Sequence, residues 1–219
     1  MDTEKIALFP IPEMVSFPYT VVPLHVFEPR YRSMIKDCVK NKIKIGVCHI
    51  EDIISQAPKN QSPENILNSN LSTFKPQSIF SAGHCVIDDV TADGRFRVHI
   101  DMDARYRIEK IIQEIPYVTC LCEEYKDDET DEKEDFASSL RTRIDSFLKD
   151  YALKSDDKAF VEFLESNNWT DMSDLIYSFR IFEKIRLQGN LAQEALEKKT
   201  PSERLNVIDK TLKLSDNLS

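Results

Sequence analysis

Five cysteines and four histidines are the residues of this chain best suited to chemistry, and three groupings lie close in sequence: Cys48-His49, His84-Cys85 and Cys120-x-Cys122. A thiolate beside an imidazole can act as a nucleophile, and thiolates with imidazoles can hold zinc. The spacing supports neither chemistry. Zinc sites carry C-x2–4-C knuckles, which this sequence lacks, and no third group that would orient a Cys–His pair is recognisable. In an extended strand Cys120 and Cys122 share one face, whereas Cys48 and His49 point oppositely. An odd number of cysteines set in apolar stretches fits reduced core thiols in a cytoplasmic protein, with no catalytic residue, metal or cofactor expected.

Carboxylates are densest in 123–135 (EEYKDDETDEKED), where nine acids and two lysines supply −7 of the net charge of −9. A solvated run has no burial to split its pKa values for acid–base work. It reads as a flexible linker, or as an electrostatic tether for a basic partner. The overall acidity argues against non-specific nucleic-acid binding, which needs Lys and Arg in excess.

A second set of polar residues marks a junction. Val21, Val22, Leu24, Val26 and Phe27 make a β-prone run, after which Glu28-Pro29 starts a helix, proline suiting a first position whose N–H has no partner. Tyr31, Met34, Ile35, Cys38 and Val39 then recur at helical spacing. Glu28, Arg30 and Tyr31 at this handover could rim a peptide-binding groove. As plain structure, Glu28 would favour the positive helix end and Arg30 would pair with a carboxylate. Phe17, Tyr19 and Phe27 stand nearby among prolines, and exposed aromatics beside a groove suit unfolded, aromatic-rich segments. The candidate peptide- or partner-binding residues are therefore Phe17, Tyr19, Phe27, Glu28, Arg30 and Tyr31.

The elements that must position them divide the chain. About six or seven strands are expected before residue 124, including 42–50, 83–90, 95–102, 105–112 and 117–123. Asp93-Gly94 between two of them is a hairpin signal, for which a type I′ turn is expected. Residues 55–78, rich in Asn, Gln, Ser and Pro, read as a loop with a turn of helix at 64–67. After the acidic run the period becomes helical, over 136–151, 156–165, 171–187, 190–198 and 201–214. Thr200-Pro201-Ser202-Glu203 spells a capping box for the last helix. In 171–187 Leu175, Ile176, Phe179, Phe182 and Ile185 form one face with Tyr177 and Ile181 beside it, a wide apolar surface expected of the central helix of a bundle. The expected domains are a barrel over 1–125, an acidic linker over 126–135 and a helical subdomain over 136–219. No apolar run approaches the roughly 20 residues needed to cross a bilayer, and the acidic start is not a secretory signal, so a cytoplasmic protein without a membrane role is expected.

Leu8-Phe9-Pro10, Val22-Pro23-Leu24 and above all Phe27-Glu28-Pro29-Arg30-Tyr31 resemble the opening of the amino-terminal, substrate-binding domain of Lon proteases. Gly83, Asp93-Gly94-Arg95, Arg105-Tyr106-Arg107-Ile108, Pro116-Tyr117, Ser173-Asp174-Leu175-Ile176, Ala195-Leu196-Glu197 and Glu203-Arg204-Leu205 follow in family order. The 55–78 segment is longer than the usual connection. The resemblance implies an α+β fold: a PUA-like, mostly antiparallel β-barrel of about six strands plus a short helix, then an α-helical bundle. It also implies a non-enzymatic recognition domain for unfolded polypeptide segments or a protein partner such as a protease or unfoldase, serving as an adaptor in proteolysis or protein quality control. The sequence contains only four glycines, any two more than ten residues apart. It therefore holds no G-x-x-x-x-G-K-[ST] loop for an ATPase, and 219 residues leave no length for a Ser–Lys protease domain. Two other readings stay open. One is a PUA-like RNA binder using Arg95, Arg97, Arg105 and Arg107; the other is a small hydrolase using a Cys/His pair.

Overall fold

Over Phe96–Gln113, inward Phe96, Val98, Ile100 and Met102 alternate with outward Arg97, Asp101 and Asp103, the period-2 pattern of a strand with one buried face. This strand organises the first of two compact units, Met1–Lys126 and Asp127–Ser219, in a computed structural model that describes residues 2–56, 72–129 and 134–216. The elements of the first unit are β1 (Thr3–Pro10), β2 (Val21–Val26), α1 (Pro29–Asn41), β3 (Lys44–Cys48), β4 (Ile50–Ser55), β5 (Thr73–Pro76), β6 (Ile79–Val90), β7 (Phe96–Gln113) and β8 (Thr119–Glu124). The helical turn expected at 64–67 lies outside the described residues.

The α+β character is as expected, but the barrel is not. The strands form a six-stranded sheet in the order β2-β7-β6-β3-β1-β8 and a separate two-stranded ribbon, β4-β5. The sheet is mixed, because β1 and β3 run parallel, Ile6 opposite Lys44. Two expected strands, 95–102 and 105–112, are one 18-residue strand. One side of β7 is long enough to serve β2 with Phe96 to Asp101 and then β8 with Tyr106 to Gln113. That leaves β2 as a terminal strand, paired only with β7 among the described residues. Pro23 sits in it, as proline can on an edge, where its missing N–H costs no ladder bond.

The β6–β7 turn differs from the type I′ expectation. Gly94 alone has positive φ, at 79°. Its N–H donates to Thr91 O and the Thr91 N–H to Arg95 O, which makes a three-residue loop with a left-handed glycine. Helix α1 starts on Pro29 as expected and ends in a left-handed Lys42. It buries Tyr31, Met34, Ile35 and Cys38 against Val22, Val26, Ile45, Val47, Val98 and Ile100. A second cluster gathers Ile6, Leu8, Cys48, Phe80, Tyr106, Cys120 and Cys122.

Burial pushes the Cys38 thiol up to about 12, helped by Cys85 and Asp37. The folded unit thus holds this proton more tightly than the unfolded chain, whose ordinary value is 9.0. Its contribution to stability is complete below about pH 9 and is lost as pH rises towards about 12. Urea titrations between about pH 8 and about pH 11 should show a falling midpoint, and Cys38→Ala should flatten that fall. An unchanged slope in the variant would remove Cys38 from the explanation.

The second unit comprises α2 (Glu134–Lys154), α3 (Lys158–Leu164), α4 (Asn167–Thr170), α5 (Asp174–Arg180), a 3-10 turn (Ile181–Glu183), α6 (Gly189–Glu197) and α7 (Pro201–Asp216). Its core is Leu140, Ile144, Leu148, Trp169, Tyr177, Ile181, Leu205 and Ile208. The expected helix over 171–187 is broken into α5 and the 3-10 turn. Tyr177 and Ile181 are fully buried there, while Leu175 is 40% exposed. The capping box at α7 is present in shifted form: Thr200 Oγ1 accepts from the Glu203 N–H, and Glu203 Oε2 accepts from Lys199 N, not Thr200 N.

Two arginines tie this unit together. Arg141 donates to the carbonyls of Trp169, Thr170 and Met172 and to Asp174, with its guanidinium 4.4 Å from the Tyr177 ring centre. It thereby satisfies carbonyls at the end of α4, which helical geometry leaves without partners. Arg204 has no exposed surface. It grips Asp127 through both terminal nitrogens (2.8 and 2.6 Å), donates to Ser178 Oγ and Lys198 O, and lies 3.8 Å from the Phe179 ring centre. Asp127 and Asp128, which ion-pairs with Lys199, thus fasten the early part of the acidic run to the helical unit.

Candidate functional site

Where β1 ends, α1 begins and the β7–β8 turn returns, the first unit carries a small cleft. Leu8 and Pro10 of β1, Arg30 and Tyr31 of α1, Thr73 and Phe74 of β5, and Glu114, Pro116, Tyr117 and Val118 line it. The enclosed space is about 30 Å³, enough for a water-sized group and too little for a whole side chain of a ligand without some opening.

Beside the cleft lie the exposed end of β7 and the β7–β8 turn. Residues 109–112 of β7 are exposed on both faces. Ile111 and Ile112 are about half exposed, and Ile115 in the turn is 85% exposed. On the opposite side, Ile53 of β4 pairs with Phe74 of β5, and Ile53 and Ile54 are also exposed. Exposed apolar groups gathered around a cleft distinguish this region from singly scattered surface hydrophobes.

The six candidate residues fall into two places. Arg30 and Tyr31 line the cleft. Glu28 holds Arg30 at 2.8 Å, with both side chains nearly buried, and Arg30 donates onward to Ser72 O and Thr73 Oγ1. The pair therefore clamps the start of β5 to the start of α1. Tyr31 is 5% exposed and packs on Phe9 with ring centres 4.1 Å apart, so it is floor and not rim. Burial raises its hydroxyl pKa, against the lowering effect of Arg30.

Phe17, Tyr19 and Phe27 do not line the cleft. Phe17 is buried in the β1–β2 connection, where its carbonyl accepts from Thr20 Oγ1. Tyr19 is half exposed with φ of 63°, its N–H bonded to Met102 O beside β7. Phe27 is half-buried. Sequence reasoning passed over Glu114, Ile115, Pro116 and Tyr117 as site residues. The available signal was an isoleucine next to a proline between two strands, an apolar residue in a turn.

The thiol groupings are placed differently. Cys48, Cys120 and Cys122 are buried together. Burial pushes the Cys48 thiol up, and the Cys122 thiol is raised by its bond to Cys120 and by burial, which disfavours the thiolate that nucleophilic chemistry needs. Cys120 is lowered by the same bond but has no exposed surface. His49 is buried and accepts from the Glu13 N–H at 3.1 Å. Among the described residues no group of three or more His, Cys, Asp or Glu could hold a metal ion. The four arginines weighed for RNA do not form one patch. Arg95 and Arg97 lie at one end of the hairpin, while Arg105 is buried and stacks with Arg107 on Tyr125, some 25 Å or more along the strand.

A family model for the substrate-binding domain of the ATP-dependent protease La (LON) matches residues 5–213, and the chain belongs to that family. It is thus a non-catalytic domain of the Lon substrate-binding type. Two solved structures share the fold. The Lon N-terminal domain protein from Xanthomonas campestris is 19% identical, with 93% of this chain and 96% of that chain covered and a TM-score of 0.53. The N-terminal domain of the Mycobacterium avium complex Lon protease is 12% identical, covering 94% of this chain and 97% of that one, with a TM-score of 0.65. No curated protein matches the sequence. Among the described residues no helix is long and apolar enough to cross a membrane.

Proposed function

We propose that this domain binds extended, apolar-rich polypeptide segments, laying them along the exposed end of β7 and the β7–β8 turn with side chains at the mouth of the Tyr31–Phe74–Pro116 cleft. The observation that carries the reading is Ile115, 85% exposed beside a cleft with apolar walls in a domain of the substrate-binding family. Glu28 and Arg30 act as the clamp that fixes the cleft wall, and Tyr31 as its floor; Phe17, Tyr19 and Phe27 support the adjoining loop and strand. The bound segment would come from an unfolded client or from a protease or unfoldase partner, with the domain as an adaptor in protein quality control. Five free cysteines support a reducing, cytoplasmic setting.

Fluorescence anisotropy with a labelled, unstructured, aromatic-rich peptide tests this. Ile115→Glu should weaken binding about tenfold or more, the loss expected for one buried isoleucine, with unchanged unfolding midpoint. Equal affinity for the two proteins would overturn the placement of the site.

A further inference from the structure

We propose that the shallow concavity beside the β6–β7 turn is an anion site that takes carboxylate or phosphoryl groups carried on a polypeptide. It measures about 390 Å³ and is lined by His25 of β2, Thr91, Ala92, Asp93 and Arg95 of the turn, and Arg97 of β7. His25 and Arg97 stand directly opposite each other in the β2–β7 register, and both are exposed. The pairing sets the Arg97 guanidinium and the His25 imidazole side by side, so that N–H donors from two strands face one concavity.

On its other flank Arg97 faces Asp89 of β6, but at 3.9 Å and with the side chains 66% and 54% exposed. Such a pair contributes little, so the guanidinium remains available to a competing oxyanion, which it can take in bidentate fashion. The one carboxylate in the lining, Asp93, is already engaged by the Thr91 hydroxyl and by Arg95 Nε at 2.9 Å. Those contacts hold its carboxyl below the usual range, so it stays an ionised partner of Arg95. Arg32 of α1 adds positive charge behind the turn, donating to Gly94 O at 3.3 Å. Most of the net charge of −9 lies in the 123–135 run, away from this corner, where Arg32, Arg95 and Arg97 face Asp89 and Asp93. The polypeptide source rests on the recognition reading above; the anion site itself does not.

The test is titration of the whole chain with a labelled peptide of alternating glutamate and serine, the same peptide phosphorylated on serine, and inorganic phosphate. Arg97→Ala should weaken both peptides about tenfold, and Asp89→Asn should tighten them, whereas neutralising a distant acid by Asp150→Asn should not. Preference for one peptide then identifies carboxylate or phosphoryl as the group read. Both substitutions lie on the solvent face, and circular dichroism checks the fold. The proposal falls if Arg97→Ala leaves both affinities unchanged, if Asp150→Asn matches Asp89→Asn, or if single-stranded RNA displaces the peptides at far lower concentration. A neutral aromatic-rich peptide in parallel keeps the two sites apart: its binding with no anionic binding overturns this site alone.

Discussion

Replacing Arg204 with methionine is expected to destabilise the helical unit by about 3–5 kcal/mol, the usual effect of removing one partner from a buried ion pair. The side chain has no exposed surface, and it serves four groups at once: the Asp127 carboxylate, Ser178 Oγ, Lys198 O and the Phe179 ring. Methionine fills much of the volume but offers none of the donors. The Asp127 carboxylate, whose side chain is only 16% exposed, would lose its bidentate partner in a poorly solvated place. The protein supplies its own reporter, because its single tryptophan, Trp169, is buried in this unit's core. Urea unfolding followed by Trp169 fluorescence should show the midpoint move sharply. Adding Asp127→Leu should recover part of the loss, since removing both charges relieves the stranded one. A shift worth under about 1 kcal/mol would mean that the pair behaves like an exposed surface bridge, and the account of Arg204 would be wrong.

Gly83→Ala should be still less tolerable in the sheet unit. A Cβ at Gly83 would lie 1.7 Å from the carbonyl oxygen of Asp101, 2.6 Å from its carbonyl carbon and 2.9 Å from Met102 Cα. All three atoms are backbone of the neighbouring strand, so no side-chain rotation can make room. The register also shifts between Ala82 and Gly83, the irregularity that lets β6 and β7 approach so closely. Accommodating one methyl group means prising these strands apart, and a cost of about 4 kcal/mol or more is expected. Gly94→Ala gives the comparison: only a flexible Arg32 nitrogen at 3.2 Å stands in the way, and the φ of 79° should cost about 1 kcal/mol. All five cysteines lie in the sheet unit, four of them buried, so the rate of thiol labelling under native conditions reports its opening. Gly83→Ala should label fast and Gly94→Ala nearly as slowly as the parent. Similar slow labelling of both variants would contradict the close-approach argument.

What the sequence disclosed was what is local. Phe27-Glu28-Pro29-Arg30-Tyr31 announces a strand-to-helix change through proline at the first helical position, and α1 starts there. Asp93-Gly94 announces a reversal, but the loop type depends on whether one or two residues adopt positive φ, which the dipeptide leaves undecided. The barrel expectation failed because sheet order depends on partners far apart in sequence. Nothing in β1 declares that it runs parallel to β3, and the charged Asp103 and Arg105 disguise one long strand as two. In the helical unit the wide apolar surface was legible, with Phe179, Tyr177 and Ile181 all buried, but Leu175 is exposed and the helix breaks at Ile181. Of the candidate site, Arg30 and Tyr31 were legible because they flank a motif. Ile115 was not, since a turn isoleucine becomes conspicuous only when three dimensions show that nothing covers it. The buried arginines were equally hidden, as Arg141 and Arg204 read in sequence like any surface cation.

The pairing of β1 sets a timetable for the growing chain. Its strand is flanked by β3 on one side and β8 on the other, and Thr3 lies opposite Glu123. On a ribosome the first strand made therefore cannot be locked on both sides until the last strand of the sheet has emerged. Long-range closures of this kind are slow relative to local hairpins. Until then the backbone edge of β1, with buried-type residues Ile6, Ala7 and Leu8, stays open to other chains. While it is being made, a domain of the Lon substrate-binding family thus exposes an unpaired apolar strand of its own.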